Sequence, residues 1–219
     1  MLRALIVLLL AAAVRGQAQQ DSPTLTGTLE SGVYTSATNT FKIKVPVMPE
    51  LGGRIRDTEH VVMFQDSFGI QISVGAFTQD ATQRWELSTR GIKDYLIYFF
   101  GTFVLADFRR YCPETRMESA AFASDYLDGA LFCYILLPGG SAFENQLVFG
   151  GPGKPPVAKR GNVLFVRNGY VFVVSTELAE RVTEGATYKK TEEEEDRILR
   201  KRLVDIVAKM QFTSPPTVK

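Results

Sequence analysis

Chemistry in this chain would have to be built around very few groups. His60 is the single histidine, so a hydrolase of the Ser–His or Cys–His kind would need it as base, with a serine, Cys112 or Cys133 as nucleophile. No G-x-S-x-G elbow occurs to present such a serine. The run Asp57-Thr58-Glu59-His60 offers two carboxylates and an imidazole. On a strand, residues 57 and 59 share a face while 60 points away, so the three do not converge easily on one ion. Zinc takes three or four N, S or O ligands, usually several of them histidine or cysteine. A hard cation would accept carboxylates alone, and Asp125 and Asp128 in "DYLDG" supply two more. That stretch lacks the regular ligand alternation and closing glutamate of a helix-loop-helix calcium loop. Gly153-Lys154 has the start of a phosphate loop, yet Pro155 stands where the motif needs a hydroxyl. The expectation is therefore no catalytic, cofactor or metal site. Asp57, Glu59, His60, Asp125 and Asp128 remain the residues of the alternative.

Cys112 and Cys133 leave two arrangements open. A disulfide would close a loop of about 20 residues and add ~3 kcal/mol in the chain-entropy model. Otherwise both are buried thiols that pack as small hydrophobes.

The elements that would position these residues follow from periodicity. "VYTSATNTFKIKVP" (33–46) is a hairpin: Phe41, Ile43 and Val45 alternate with lysines, and Pro46 ends the ladder. Residues 46–60 read as a loop, 60–65 and 69–77 as strands. Asp80 with Gln83 makes a capping-box pattern for a long helix. Ile92, Leu96, Phe99 and Phe103 form its apolar face, with a kink expected near Gly91 or Gly101. Its densest part, 95–106, is too short to span a bilayer. Asp128-Gly129 joins two strand-like runs, 150–161 reads as a glycine- and proline-rich loop, and Asn168-Gly169 joins 163–167 to 170–176 as a type I′ hairpin. Thr191 with Glu194 opens a last helix whose stripe is Leu199, Leu203, Ile206 and Met210. Its charged run "KKTEEEEDRILRKR" reads as a solvated face.

Met1-Leu2-Arg3, an apolar run to Val14 and small residues at Gly16 and Ala18 form a secretory leader pattern, with cleavage expected after Ala18. Its removal takes Arg3 and Arg15, leaving a net charge of −1, so nothing pulls the chain toward nucleic acid or anionic lipid. The organisation expected is a signal peptide (1–18), a flexible lead-in (19–30), one α+β domain (31–213) and a disordered tail (214–219). The domain should be a central antiparallel sheet of six or seven strands with a long helix and a C-terminal helix packed on it.

Tyr34, the run Phe41-Lys42-Ile43-Lys44-Val45-Pro46, the strand Tyr170 to Thr176 and Phe212 after the last helix together resemble the PsbP-like superfamily. That group holds the extrinsic photosystem II protein, a Ran-binding Mog type and exported bacterial proteins. The resemblance covers 31–213 through structural motifs. It implies helices on the faces of an antiparallel sheet and a non-catalytic role with no cofactor. The expectation is a secreted or periplasmic protein that binds or stabilises another envelope or extracellular protein, or a small ligand. Trp85, Tyr95, Tyr98 and Tyr188 are the aromatic candidates for its surface. The alternative is a secreted hydrolase or metal-dependent enzyme with a site near 52–66 and 125–129.

Overall fold

A computed structural model describes residues 25–140 and 157–213. The expected leader and tail, the first part of the lead-in and residues 150–156 of the expected loop lie outside that range. Seven strands form one antiparallel sheet in the order β4-β5-β6-β10-β9-β8-β7. They are β4 (Arg54–Asp57), β5 (Val61–Gln65), β6 (Gln71–Thr78), β7 (Arg116–Ala123), β8 (Ala130–Pro138), β9 (Val157–Arg167) and β10 (Tyr170–Glu177). The long helical segment and the C-terminal helix pack on this sheet, so the α+β architecture is as expected.

The opening hairpin does form, as β2 (Val33–Thr35) and β3 (Phe41–Lys44), but not within that sheet. With β1 (Thr28–Glu30) and β11 (Met210–Phe212) it makes a second, four-stranded sheet. Its alternation is as expected, with Phe41 and Ile43 buried and both lysines outward. Phe212 pairs with Phe41 in register, which ties the chain's late end to its opening. Residues 46–60 are more ordered than a loop. Pro49–Leu51 is a 3-10 turn, and β4 pairs with β5 from Arg54↔Gln65 to Asp57↔Val62.

Two cores result, one on each face of the large sheet. On the first face, Phe64, Phe132, Phe165 and Phe172 meet Tyr34, Phe41 and Ile43 of the small sheet. Leu199 and Leu203 of α4 (Glu192–Val207) close the same core. Each fully buried side chain of this size contributes about 1.5–3 kcal/mol. Thr191 caps α4 with the full reciprocal box, accepting from Glu194 N while the Glu194 carboxylate accepts from Thr191 N. α4 comes very close to β9 at Gly161, where a Cβ would stand 3.0 Å from that of Leu199.

On the second face, Leu131, Cys133, Ile135 and Leu164 meet Tyr95, Leu96, Phe99 and Phe100. Those residues belong to α1 (Ala81–Phe99) and the π-helical stretch Phe100–Leu105 that continues it into α2 (Ala106–Tyr111). The expected kink falls at Gly91, with φ 75° and ψ 165°, a conformation essentially confined to glycine. The widened stretch changes the expected phase. Phe99 and Phe100 are buried and so, five residues on, are Val104 and Leu105, which matches an i to i+5 turn rather than an α-helical one. Asp80 caps α1 through Gln83 N, but the Gln83 side chain is buried elsewhere and does not complete a box.

Candidate functional site

The residues singled out for chemistry are not gathered by the fold. Asp57, at the end of β4, accepts from Thr26 N (2.9 Å), Gly27 N (2.7 Å) and Tyr34 OH (2.7 Å). Its carboxylate thus holds the lead-in against the small sheet. Burial, with Asp57 beside it, pushes the Tyr34 phenol far above its ordinary value. Glu59 is exposed, and its Oε2 lies 3.8 Å from His60 Nε2. His60 leans toward the Phe77 ring, 6.3 Å between centroids. The crevice beside it is lined by Tyr34, Thr58, His60 and Val62 among others. It has essentially no room for even a water molecule. Asp125 and Asp128 are exposed on the turn between β7 and β8. Four strand spacings separate β5 from β8, on the order of 19 Å at ~4.8 Å each. Residues 52–66 and 125–129 therefore sit toward opposite margins of the sheet. Among the described residues no three His, Cys, Asp or Glu side chains are grouped to hold a metal.

The cysteines are separate thiols. Cys133 is sealed in the second core, where burial pushes its thiol up to about 12. Cys112 follows α2; burial and the nearby Glu177 also raise it. Neither has the electropositive setting that makes a thiolate.

The strongest concentration of buried charge is elsewhere, on β9. Lys159 is fully buried on the α4 face, and its Nζ lies 2.5 Å from Glu118 of β7. It is also 2.7 Å from Asp196 and 3.1 Å from Glu195, both of α4. Arg181 of α3 (Ala179–Thr183) grips Glu195 from the other side, Nη1 donating at 2.5 and 2.6 Å. Ser119 donates to Asp196. Three carboxylates against two cations leave the cluster at −1, near the positive end of the α4 dipole. Burial alone would lower the Lys159 pKa; hydrogen bonds to Asp196, Glu118 and Glu195 outweigh it and hold the ammonium above its ordinary range. A lysine so held keeps its proton and has no lone pair to attack with. The cluster fastens β7, β9, α3 and α4 to one another.

The next residue along the strand, Arg160, points to the opposite face. Its Nη1 lies 3.3 Å from Glu177 Oε1, its Nη2 donates to Ser73 Oγ at 2.7 Å, and its guanidinium sits 5.0 Å from the Phe108 ring centre. A polar row continues across the sheet, Ser175 donating to Asn162 (2.9 Å) and Asn162 to the Cys133 carbonyl (3.2 Å). Burial lowers the Arg160 pKa, and Glu177 opposes that shift.

Reading 150–161 as a loop hid both cations, because β9 starts at Val157, inside that segment. A signal was available. The two-residue turn at Asn168-Gly169 fixes the register of the hairpin, and following it back from Glu177 lands on Arg160, an opposite-charge pair.

Four of the exposed apolar side chains among the described residues stand on neighbouring loops. Phe68 is 76% exposed and Met48 62%, with Leu51 and Ile70 also outward. They lie on two adjoining loops: Ser67 N donates to Leu51 O (3.2 Å), and Asp66 Oδ1 accepts from the amides of Phe68 and Ile70. The loops are thus braced while their greasy side chains stay outside. Of the aromatic candidates, Trp85 is 61% exposed whereas Tyr95 is buried and accepts from Gln79 Nε2. Tyr98 and Tyr188 are half-buried. Among the described residues no helix is long and apolar enough to cross a membrane.

No family model matches the chain, and no curated protein does. Among solved structures it is similar to a protein of Bacteroides thetaiotaomicron VPI-5482 at 9% identity and a TM-score of 0.38, over 85% of this chain and 50% of that one. This chain thus spans half the length of the Bacteroides protein. It is similar to the Ran-binding protein Mog1p of Saccharomyces cerevisiae at 10% identity and a TM-score of 0.40, over 83% and 95% of the two chains. A mutant of the protein Mog1 overlaps at 11% and 0.38, over 80% and 92%. Two of these three are of the Mog type that the sequence resemblance includes. At such identities and scores no partner or activity transfers to this chain.

Proposed function

We propose that this chain is a secreted or periplasmic, non-catalytic binding protein that docks another envelope or extracellular protein on the tip formed by Met48, Leu51, Phe68 and Ile70. The observation that carries this reading is Phe68, 76% exposed on a turn pinned by Asp66. Apolar side chains exposed on adjoining loops are a common mark of a protein contact, and a backbone braced by hydrogen bonds lowers the ordering cost of binding. The leader pattern supports export. The clamped state of Lys159 and the dispersal of Asp57, Glu59, His60, Asp125 and Asp128 support a role without turnover.

The test uses the wild-type chain and a Met48→Ser/Phe68→Ser variant, both presented to the native envelope fraction. A partner that co-purifies with the wild type should lose at least about 2 kcal/mol of affinity for the variant, as expected of a hot spot. Equal retention would move the contact off the tip. Turnover in a metal and substrate screen, abolished by His60→Ala, would replace this reading with the enzymatic one.

A further inference from the structure

The two margins of the seven-stranded sheet are treated differently. β4 is four residues long and carries Arg54, Arg56 and Asp57. Asp57 takes the amides of Thr26 and Gly27, drawing the lead-in alongside that margin. β7 is eight residues long, and from Ser119 to Ala123 it has no charge and no proline. Ala120 and Ala121 are both exposed. Among the described residues it is the terminal strand of the sheet and has no backbone partner on its outer side, the kind of edge that proteins usually blunt. A register shift between Met117 and Ser119 disturbs only its start, and Glu118 is turned inward onto Lys159.

The charges that flank this bare run are of opposite sign. Arg116 is the last outward charge before it, and exposed Asp125 is the first after it, followed by Asp128. We infer that two copies of this chain pair β7 with β7, antiparallel about a twofold axis near Ala120 and Ala121, joining their large sheets. Antiparallel pairing brings Arg116 of each copy within about one residue of Asp125 on the other, twice over, whereas parallel pairing would set Arg116 beside Arg116. Glu114 stands outside the ladder on the preceding turn. The surface is distinct from the apolar tip.

The experiment is light scattering on the full chain across a concentration series, with amide hydrogen exchange at both extremes. The wild type should pass from its single-chain mass to twice that value. Protection should rise with concentration in β7 and nowhere else. Ala120→Lys/Ala121→Lys, which charges an exposed edge and sets like charges across the axis, should weaken the dimer at least about tenfold. Arg116→Asp should weaken it as well, and adding Asp125→Arg should restore it. Phe68→Ser should leave it unchanged, so this result and the docking test above fail independently. A wild type that stays at single-chain mass overturns the proposal. So does a dimer indifferent to both the lysine and the charge-reversal variants, or one whose new protection lies outside β7.

Discussion

Lys159 and Arg160 are neighbours in sequence, both buried and both cationic, yet they are satisfied in opposite ways. Lys159 draws its carboxylates from residues 118, 195 and 196, on elements far apart in the chain. Arg160 meets its registered partner Glu177 on β10 and Ser73 on β6 within the sheet, with the Phe108 ring of α2 over its guanidinium. The first arrangement gathers three acids from two layers, while the ion pair of the second runs between neighbouring strands of one sheet. A buried cation is thus no mark of chemistry in itself; its partners decide what its removal undoes.

The largest effect is expected where one cation answers to several acids. Lys159→Met leaves Glu118, Glu195 and Asp196 short of a counter-charge and should cost about 3–5 kcal/mol. In a domain of this size that lowers the Tm on the order of 10 °C, measurable by calorimetry. Removing one acid partner as well should recover little, because two others remain.

Arg160 should behave otherwise. Arg160→Met and Glu177→Leu should each cost about 3 kcal/mol, since each strands a buried partner. The double variant should be much less damaged than the sum, with a coupling of about 1–3 kcal/mol in a double-mutant cycle. Additive losses would mean that the two groups do not act as a pair.

The pH dependence sharpens the contrast on the Lys159 side. Its folded pKa is raised above the ordinary 10.5. Its contribution is therefore complete below that pH and lost as pH rises through the folded value. The stability difference between wild type and Lys159→Met should stay flat through neutral pH and narrow only above about 10.5.

Smaller effects separate the layers further. Gly91→Ala meets no neighbouring atom within 4 Å, so its cost, about 1–3 kcal/mol, is purely conformational and falls on the α1 face. Thr191→Ala removes the α4 cap at about 1 kcal/mol. It should loosen the face that holds Lys159 while leaving the Arg160 face unchanged in hydrogen exchange.

How much of this was legible in the sequence depended on the range of the forces involved. The Asn168-Gly169 hairpin, the Thr191–Glu194 box and the Leu199–Leu203–Ile206 stripe rest on neighbours a few residues apart, and each formed where its pattern lies. The break at Gly91 was legible for the same reason. Of the small sheet only the β2–β3 hairpin was, because three-residue strands such as β1 and β11 have no signal of their own and exist only through pairing. The start of β9 was hidden by the glycines and prolines just before it, and the acids that satisfy Lys159, Glu118 and Glu195, arrive from 41 and 36 residues away. Of the suspected site, the identity of each residue was readable but not its use: Asp57 turned out to hold Tyr34 and the lead-in. The exposed tip was invisible, since Ile70 read as an ordinary strand residue and Phe68 fell in the short gap between two strands.

The central claim is that the Lys159 cluster fastens one layer onto another. Native-state hydrogen exchange on Lys159→Met tests it most directly. If the claim holds, amides in the first half of α4 will open well before those of β10, although in the wild type both belong to the same core. If instead α4 and β10 lose protection equally, or α4 stays as protected as in the wild type, the cluster holds nothing together that the apolar contacts do not already hold.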